Sequence, residues 1–263
     1  MQTDSPKKSL ILSMLPDNLS MGDKFQLAAD LGFQGMEVGP TNDAHEIRIL
    51  RGASERAGIP IHSIIYGGWG KPLSSADPAD GAAAVEAAKT ALQSAKELGA
   101  DALLLVPAVV NQDNRYVDAY NRSQKRVKEL VPTAEKTGVT ICIENVWNNF
   151  LLSPMEFARY VDECNSPFVQ AYFDVGNVIG ACGFSQDWIR TLGKRIKRIH
   201  LKDFKLPDRS WQNLGDGSVN WPEVKAALHE VGFTSFMTCE LGAGNEKYLR
   251  DLSKRIDKLL LAG

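Results

Sequence analysis

A barrel of eight parallel β-strands, each followed by a helix, is the fold this sequence predicts: α/β, a (β/α)8 TIM barrel formed as a single domain over residues 1–263. Three observations predict it. Short β-branched apolar runs alternate along the chain with stretches of helical apolar spacing, the pattern of parallel strands joined by crossover helices. The length of 263 residues is that of one such barrel. Four of the runs end in a side chain able to bind a metal ion: Glu144, Asp174, His200 and Glu240 close runs separated by 30, 26 and 40 residues, each near one strand-helix repeat.

The elements follow in order. Residues 9–15 read as the first strand, and 21–31 carry helical spacing until Gly32 stops it. Lys7 and Lys8 before Leu10-Ile11-Leu12 give a faint signal-peptide pattern, but Ser13, Pro16, Asp17 and Asn18 cut the apolar run short. Residues 35–38 form a short second strand, 44–57 a helix stopped by Gly58 and Pro60, and 59–66 the third strand. The alanine-rich 80–98 is helical and 102–106 is a continuous apolar strand, as burial on both faces demands. Residues 117–136 are helical, with Pro132 placed to kink the helix or end it early. The fifth strand runs to Glu144, and Ser153-Pro154 caps a helix over 154–161. The sixth strand, 168–174, gives way to a glycine-punctuated loop and a short helix over 187–192; the seventh is 196–200. Trp221-Pro222 opens a helix ending near Gly232, the last strand is 236–240, and 246–261 is the final helix, making eight strands and eight helices.

In such a barrel all four strand-end side chains emerge at one rim. Three carboxylates and an imidazole crowded there repel one another and lose water unless something positive sits between them, and a divalent cation is the simplest candidate. Taken singly, each residue is explained equally well as bonding loop backbone or capping a helix. For four at consecutive strand ends that account is poor.

The composition narrows the partners. A formal charge of −2 gives no global attraction to nucleic acid or an anionic membrane, and no run reaches the roughly 18 apolar residues of a membrane span. Cys142, Cys164, Cys182 and Cys239 contain no CxxC pair, and Cys142 and Cys239 fall inside buried strands. A reduced cytoplasmic setting is expected, with a homo-oligomer compatible with the sequence.

Other rim positions carry two readings each. Glu37 is a fifth strand-end carboxylate, either a further rim group or a partner for neighbouring backbone or a basic side chain. Gly67-Gly68-Trp69-Gly70 matches no phosphate-binding fingerprint; its Trp69 either stacks on a sugar face or is merely packed. His62 is either a substrate contact or a hydrogen-bonded barrel histidine.

Together, Ile143-Glu144-Asn145, Phe173-Asp174-Val175-Gly176-Asn177, His200-Leu201-Lys202-Asp203, Gly215-Asp216-Gly217 and Cys239-Glu240 resemble the strand-end motifs of the xylose isomerase-like TIM-barrel superfamily of sugar isomerases and epimerases. The resemblance spans most of the chain and rests on the joint order of the motifs. It implies a carbohydrate-metabolising isomerase or epimerase. Carried over from the keto-sugar 3-epimerase branch, it makes Glu144, Asp174, His200 and Glu240 the ligands of one divalent metal, and Glu144 and Glu240 the catalytic acid and base. Oxygen ligands suit Mg²⁺ or Mn²⁺, and one imidazole moves the preference towards Mn²⁺, Co²⁺ or Zn²⁺; Mn²⁺ is the expected ion. The chain departs from that branch at Asn177, where a histidine is common, and at Leu206, where an arginine is common. Those departures leave open what holds the enediolate oxygen; Lys202, His62, Asn177 and Trp69 are the candidate substrate contacts, although Lys202 could equally pair with a carboxylate.

The expected reaction is proton transfer through an enediolate of a ketose or related keto-polyol. The alternatives are an inosose dehydratase or keto-sugar lyase, an apurinic endonuclease-like DNA repair enzyme, and a silent barrel used for binding. With only His45, His62, His200 and His229 and a negative charge, the chain is poorly matched to the histidine-rich nuclease rim. The absence of a strong phosphate site favours an unphosphorylated substrate.

Overall fold

A computed structural model describes residues 5–70, 72–181 and 183–262. Strands β1 (Lys7–Ile11), β2 (Gly35–Val38), β3 (Ile61–Gly67), β4 (Ala102–Leu105), β5 (Thr140–Glu144), β6 (Val169–Asp174) and β7 (Ile196–Leu201) pair in parallel around a closed barrel. A two-stranded hairpin of β8 (Asp203–Lys205) and β9 (Ser210–Gln212) follows, and β10 (Phe236–Cys239) closes the barrel between β7 and β1.

Strand periodicity sorts the side chains. In β5, Ile141 and Ile143 join the large core between strands and helices, whereas Cys142 joins Ala102, Leu104 and Tyr172 in a small cluster. That alternation makes the barrel a packed body whose open chemistry is confined to its ends. Cys142, Cys164 and Cys239 are buried and unpaired; Cys182 lies outside the described residues.

The helices are α1 (Met21–Asp30), α2 (Ala44–Ala57), α3 (Pro78–Leu98), α4 (Tyr116–Thr137), α5 (Pro154–Glu163), α6 (Val175–Ala181), α7 (Ser185–Leu192), α8 (Trp221–Glu230) and α9 (Glu246–Ile256). Several match the sequence reading closely: α2 stops at Gly58, whose φ of 66° is the left-handed cap, and α5 opens on Ser153 accepting the Glu156 N–H.

The departures have physical causes. β1 ends at Ile11 because the apolar run beyond it turns into a 3-10 segment that buries Met14 and Leu15. Pro132 sits inside α4 without ending it, since Val127, Leu130 and Ala134 are buried on either side of it and hold that stretch down. Helix α6 replaces the expected loop after Asp174, whose own carboxylate oxygen Oδ1 accepts the Asn177 N–H at 2.7 Å and starts the helix. The last helix gives way to a π-turn over Asp257–Leu261.

The segment between β7 and α8 is organised by one buried carboxylate. Asp203 accepts the N–H groups of Gly215, Gly217 and Val219 and the indole N–H of Trp221, at 2.9 to 3.1 Å. The Gly215-Asp216-Gly217 motif is therefore a clasp that ties the hairpin and the start of α8 to the strand end next to His200 and Lys202. A Cβ at Gly217 would lie 2.1 Å from Asp203 Oδ1. Gly217→Ala is expected to lower stability by about 1–3 kcal/mol through loss of that clasp, read as a lower urea midpoint; an unchanged midpoint would show that Asp203 does not hold the segment.

Candidate metal centre

The ends of β5, β6, β7 and β10 bring Glu144, Asp174, His200 and Glu240 together, with one potential ligand atom from each lying within 4.8 Å of all the others. His200 Nδ1 is 3.0 Å from Glu144 Oε1 and 2.7 Å from Glu240 Oε2. Lys202 Nζ stands 2.7 Å from the same Glu240 oxygen and 3.2 Å from Asp174 Oδ2. Glu144, Asp174 and His200 are buried and Glu240 is partly open.

The backbone beneath the cluster is locked. Asn145 Oδ1 accepts the Asp174 N–H and its Nδ2 donates to the Asp174 carbonyl, while the Asn177 side chain donates to the Asn145 carbonyl. The β5 and β6 ends, and with them two carboxylates, are thus fixed in register. Below them, fully buried Glu37 resolves its two sequence readings. Its carboxylate accepts the Tyr172 hydroxyl proton and lies 3.4 Å from His200 Nε2. It therefore stands under the rim as a partner of the histidine. A carboxylate at Nε2 favours keeping the proton on that nitrogen, so that Nδ1, which faces Glu144 and Glu240, is the one a cation would take in exchange for a proton.

A divalent cation fits this arrangement. Asp174 Oδ2 and Glu240 Oε2 are buried atoms with no well-directed hydrogen bond, so the nearby cationic groups approach them without satisfying them. Three carboxylates and one imidazole, with Lys202 beside Asp174 and Glu240, form the oxygen-rich donor set of a hard or borderline divalent ion.

The protein's own charges pull the two glutamates apart. Burial pushes the Glu144 carboxyl up to about 7, with His200 opposing. Glu240 is also raised by burial, but His200 and Lys202 outweigh it and hold it down at about 2. Burial raises Asp174 against the pull of Lys202. It lowers Lys202 and His200, yet the surrounding carboxylates, with Tyr172 acting on His200, leave both above their ordinary values.

A cleft of about 330 Å³ opens onto the cluster and is lined by Glu144, His200, Lys202 and Glu240, with Trp69 and Asn177 on its walls. Six of the residues picked from sequence thus meet at one mouth: Glu144, Glu240, His200, Lys202, Trp69 and Asn177. His62 does not reach it. Its ring lies inside the barrel, bonded to Ser9 Oγ at 2.9 Å, accepting from Arg198 Nε at 3.2 Å and stacked 4.1 Å from Phe236, so it is the structural histidine and not a substrate contact. A larger opening of about 540 Å³ at the opposite end of the barrel, around Lys7, Asp101 and Arg198, contains none of the strand-end residues.

Sequence reasoning missed Tyr66, Trp147 and Trp211, which share the cleft. Trp211 arrives on the unforeseen hairpin, whose Pro207-Asp208 turn between Phe204 and Trp211 was the available signal. Among the described residues no helix is long and apolar enough to cross a membrane.

The model of one family, described as xylose isomerase-like TIM barrel, matches residues 25–259. The chain belongs to that family. It is 26% identical over 226 residues to the L-ribulose-5-phosphate 3-epimerase of Escherichia coli (strain K12), covering 80% of this chain and 78% of that protein. Its fold is shared with a crystal structure of D-psicose 3-epimerase in the presence of D-fructose (TM-score 0.82, 20% identity, 97% of this chain and 100% of that one). It is shared too with 3-keto-D-glucoside 4-epimerase from E. coli (TM-score 0.81, 14% identity, 97% and 99%). The relatives are sugar epimerases.

Proton linkage gives the cluster a measurable signature. Glu144 binds more protons folded than unfolded between about 4.5 and about 7, and raised His200 extends the same sign above its ordinary 6.5. Stability of chelator-stripped protein is therefore expected to fall as pH rises through this window. Added Mn²⁺ should raise Tm most at the upper end, where the carboxylate is free to bind it. A Tm gain from Mn²⁺ that is equal at pH 5 and pH 7.5 would contradict the linkage.

Proposed function

We propose that this protein is a divalent-metal-dependent sugar epimerase or isomerase that moves a proton beside the carbonyl of a ketose or related keto-polyol. The observation that carries the reading is the convergence of Glu144, Asp174, His200 and Glu240 within 4.8 Å at the mouth of the cleft. The epimerase relatives support the reaction class.

In this reading the four side chains hold one ion, with Mn²⁺ preferred because a single imidazole accompanies three carboxylates. When bound, such an ion supplies Lewis-acid stabilisation of the charge that develops on the carbonyl oxygen. The remaining work belongs to the protein. Glu240, with Lys202 2.7 Å from its carboxylate, takes the proton from the carbon beside the carbonyl. Glu144 then returns one to the enediolate. Each carboxylate stands within reach of the shared cleft and can pass a proton to or from the substrate.

The two glutamates enter from β5 and β10, strands separated in the barrel by β6 and β7. Working from different sides of a planar enediolate, they invert the stereocentre. Lys202, 2.7 Å from Glu240, occupies the role left open by Asn177 and Leu206: its ammonium group steadies the ionised base and the developing oxyanion. Asn177 and Trp69 position the sugar. The buried unpaired thiols of Cys142, Cys164 and Cys239 are consistent with a reducing, cytoplasmic setting.

Incubation of metal-loaded protein with a panel of ketoses in D₂O is expected to place deuterium on the carbon beside the carbonyl, followed by NMR. Glu240→Gln and Glu144→Gln should each slow exchange by about 10²–10⁴-fold. Exchange retained in Glu240→Gln would remove it as the base. Loss of water from a keto-inositol in place of exchange would assign the dehydratase chemistry instead.

A further inference from the structure

Beneath the strand-end cluster the barrel interior holds a continuous line of polar side chains. It starts at Arg198, whose guanidinium bonds to Asp101 and to Ser235 Oγ and whose Nε–H donates to His62 Nδ1 at 3.2 Å. His62 Nε2 lies 2.9 Å from Ser9 Oγ, which lies 2.7 Å from Thr238 Oγ1. Thr238 Oγ1 is 3.3 Å from the Tyr172 hydroxyl, Tyr172 bonds to Glu37, and Glu37 meets His200 Nε2 at 3.4 Å. Every side chain from Arg198 to His200 is buried. The line takes one residue each from β3, β1, β10, β6 and β2, and it begins and ends on β7.

Its two ends give it a direction. A guanidinium only donates, and an ionised carboxylate only accepts. With Nδ1 taken up by the Arg198 proton, a neutral His62 carries its own proton on Nε2 and gives it to Ser9. Burial, and then the charge of Arg198, lower His62 well below its ordinary value and keep the ring neutral. At the other end the single hydroxyl proton of Tyr172 goes to Glu37. The contact between Tyr172 and Thr238 therefore takes its proton from Thr238, which in turn accepts from Ser9. One order places a proton in every link. The competing contacts, Ser9 to the Met237 carbonyl and Thr238 to His62 Nε2, are both 3.4 Å, longer than the links they would replace.

The direction matters because Glu37 has no slack. It is fully buried, and its Oε1 has no well-directed hydrogen bond, so the Tyr172 hydroxyl gives it its shortest contact. A hydroxyl that accepts while it donates is the stronger donor. We propose that Arg198 and His62 are positioning residues for the metal centre: they set the direction of the line, which through Tyr172 and Glu37 holds His200 with Nε2 as donor and Nδ1 turned to Glu144 and Glu240. The inference rests on the metal reading above. It extends the reach of that site to the far end of the barrel, where Arg198 and Asp101 line the second opening. Filling the barrel interior requires satisfied groups but no fixed direction, and that difference is measurable.

Two measurements test it. In ¹⁵N-histidine NMR of Mg²⁺-loaded protein, His62, assigned by its loss in His62→Gln, should stay neutral with its proton on Nε2 from about pH 5.5 to about pH 8. A proton on Nδ1, or a charged ring, would overturn the proposal. Mn²⁺ affinity, read from the EPR signal of the free ion, tests the reach. His62→Leu is expected to weaken binding roughly three- to tenfold, less than the loss typical for a direct partner of a ligand. His62→Gln should recover most of it, because its amide oxygen can accept from Arg198 while its amide N–H donates to Ser9. Thr238→Val keeps the side-chain shape, removes the link from Ser9 to Tyr172 and should weaken binding as much; it decides the matter if His62→Leu does not fold. A purely structural line predicts a lower Tm with Mn²⁺ affinity unchanged in these variants, or His62→Gln as weak as His62→Leu, and either result sinks the proposal alone. Wild-type protein that binds no Mn²⁺ sinks the metal reading and the proposal together.

Discussion

Charge balance at the barrel mouth is the constraint on which the rest of this structure depends. Three carboxylates and an imidazole are held with ligand atoms inside 4.8 Å, where each carboxylate pair costs roughly 3 kcal/mol at an effective dielectric of about 20. Lys202 offsets part of that repulsion through Asp174 and Glu240. It cannot also satisfy Glu144. A cluster kept in register against its own repulsion fits a positive guest, and the surrounding scaffold shows how the register is kept.

That scaffold works in two tiers. Asn145 and Asn177 cross-link the β5 and β6 ends, so that Glu144 and Asp174 cannot drift apart as their charges demand. Glu37 and Tyr172, one layer deeper, hold the far nitrogen of His200 and present its other nitrogen to the cluster. Asp203 performs the same service for the outer wall, gathering the N–H groups of the 215–219 segment and Trp221 so that the hairpin and Trp211 stand beside Lys202. Barrel strands supply position, hydrogen-bonded asparagine and aspartate side chains supply rigidity, and the loop aromatics wall the cleft.

How much of this was legible beforehand depended on whether the signal was local. The strand ends at Glu144, Asp174 and His200 were readable because a β-branched run that stops on a polar residue is a local pattern, and repeat spacing placed them on one rim. Helix α6 was hidden because its glycines, Gly176 and Gly180, look like loop residues; Gly180 makes room for Trp147, a contact from another segment. The hairpin was hidden because its strands are three residues each and their partner Phe204 is buried only through tertiary packing. His62 and Glu37 were ambiguous for the same reason: whether a polar barrel residue faces ligand or a neighbour depends on its layer, and the β-bulge between Met36 and Glu37 shifts the register there.

The account stands or falls on whether the four strand-end side chains share an ion. An anomalous difference map from crystals grown with Mn²⁺ tests this most directly. The account requires one strong peak bounded by Glu144, Asp174, His200 and Glu240, lost in Asp174→Ala while the barrel remains intact. A map with no peak among those side chains, or with Mn²⁺ bound elsewhere and unaffected by Asp174→Ala, would contradict it.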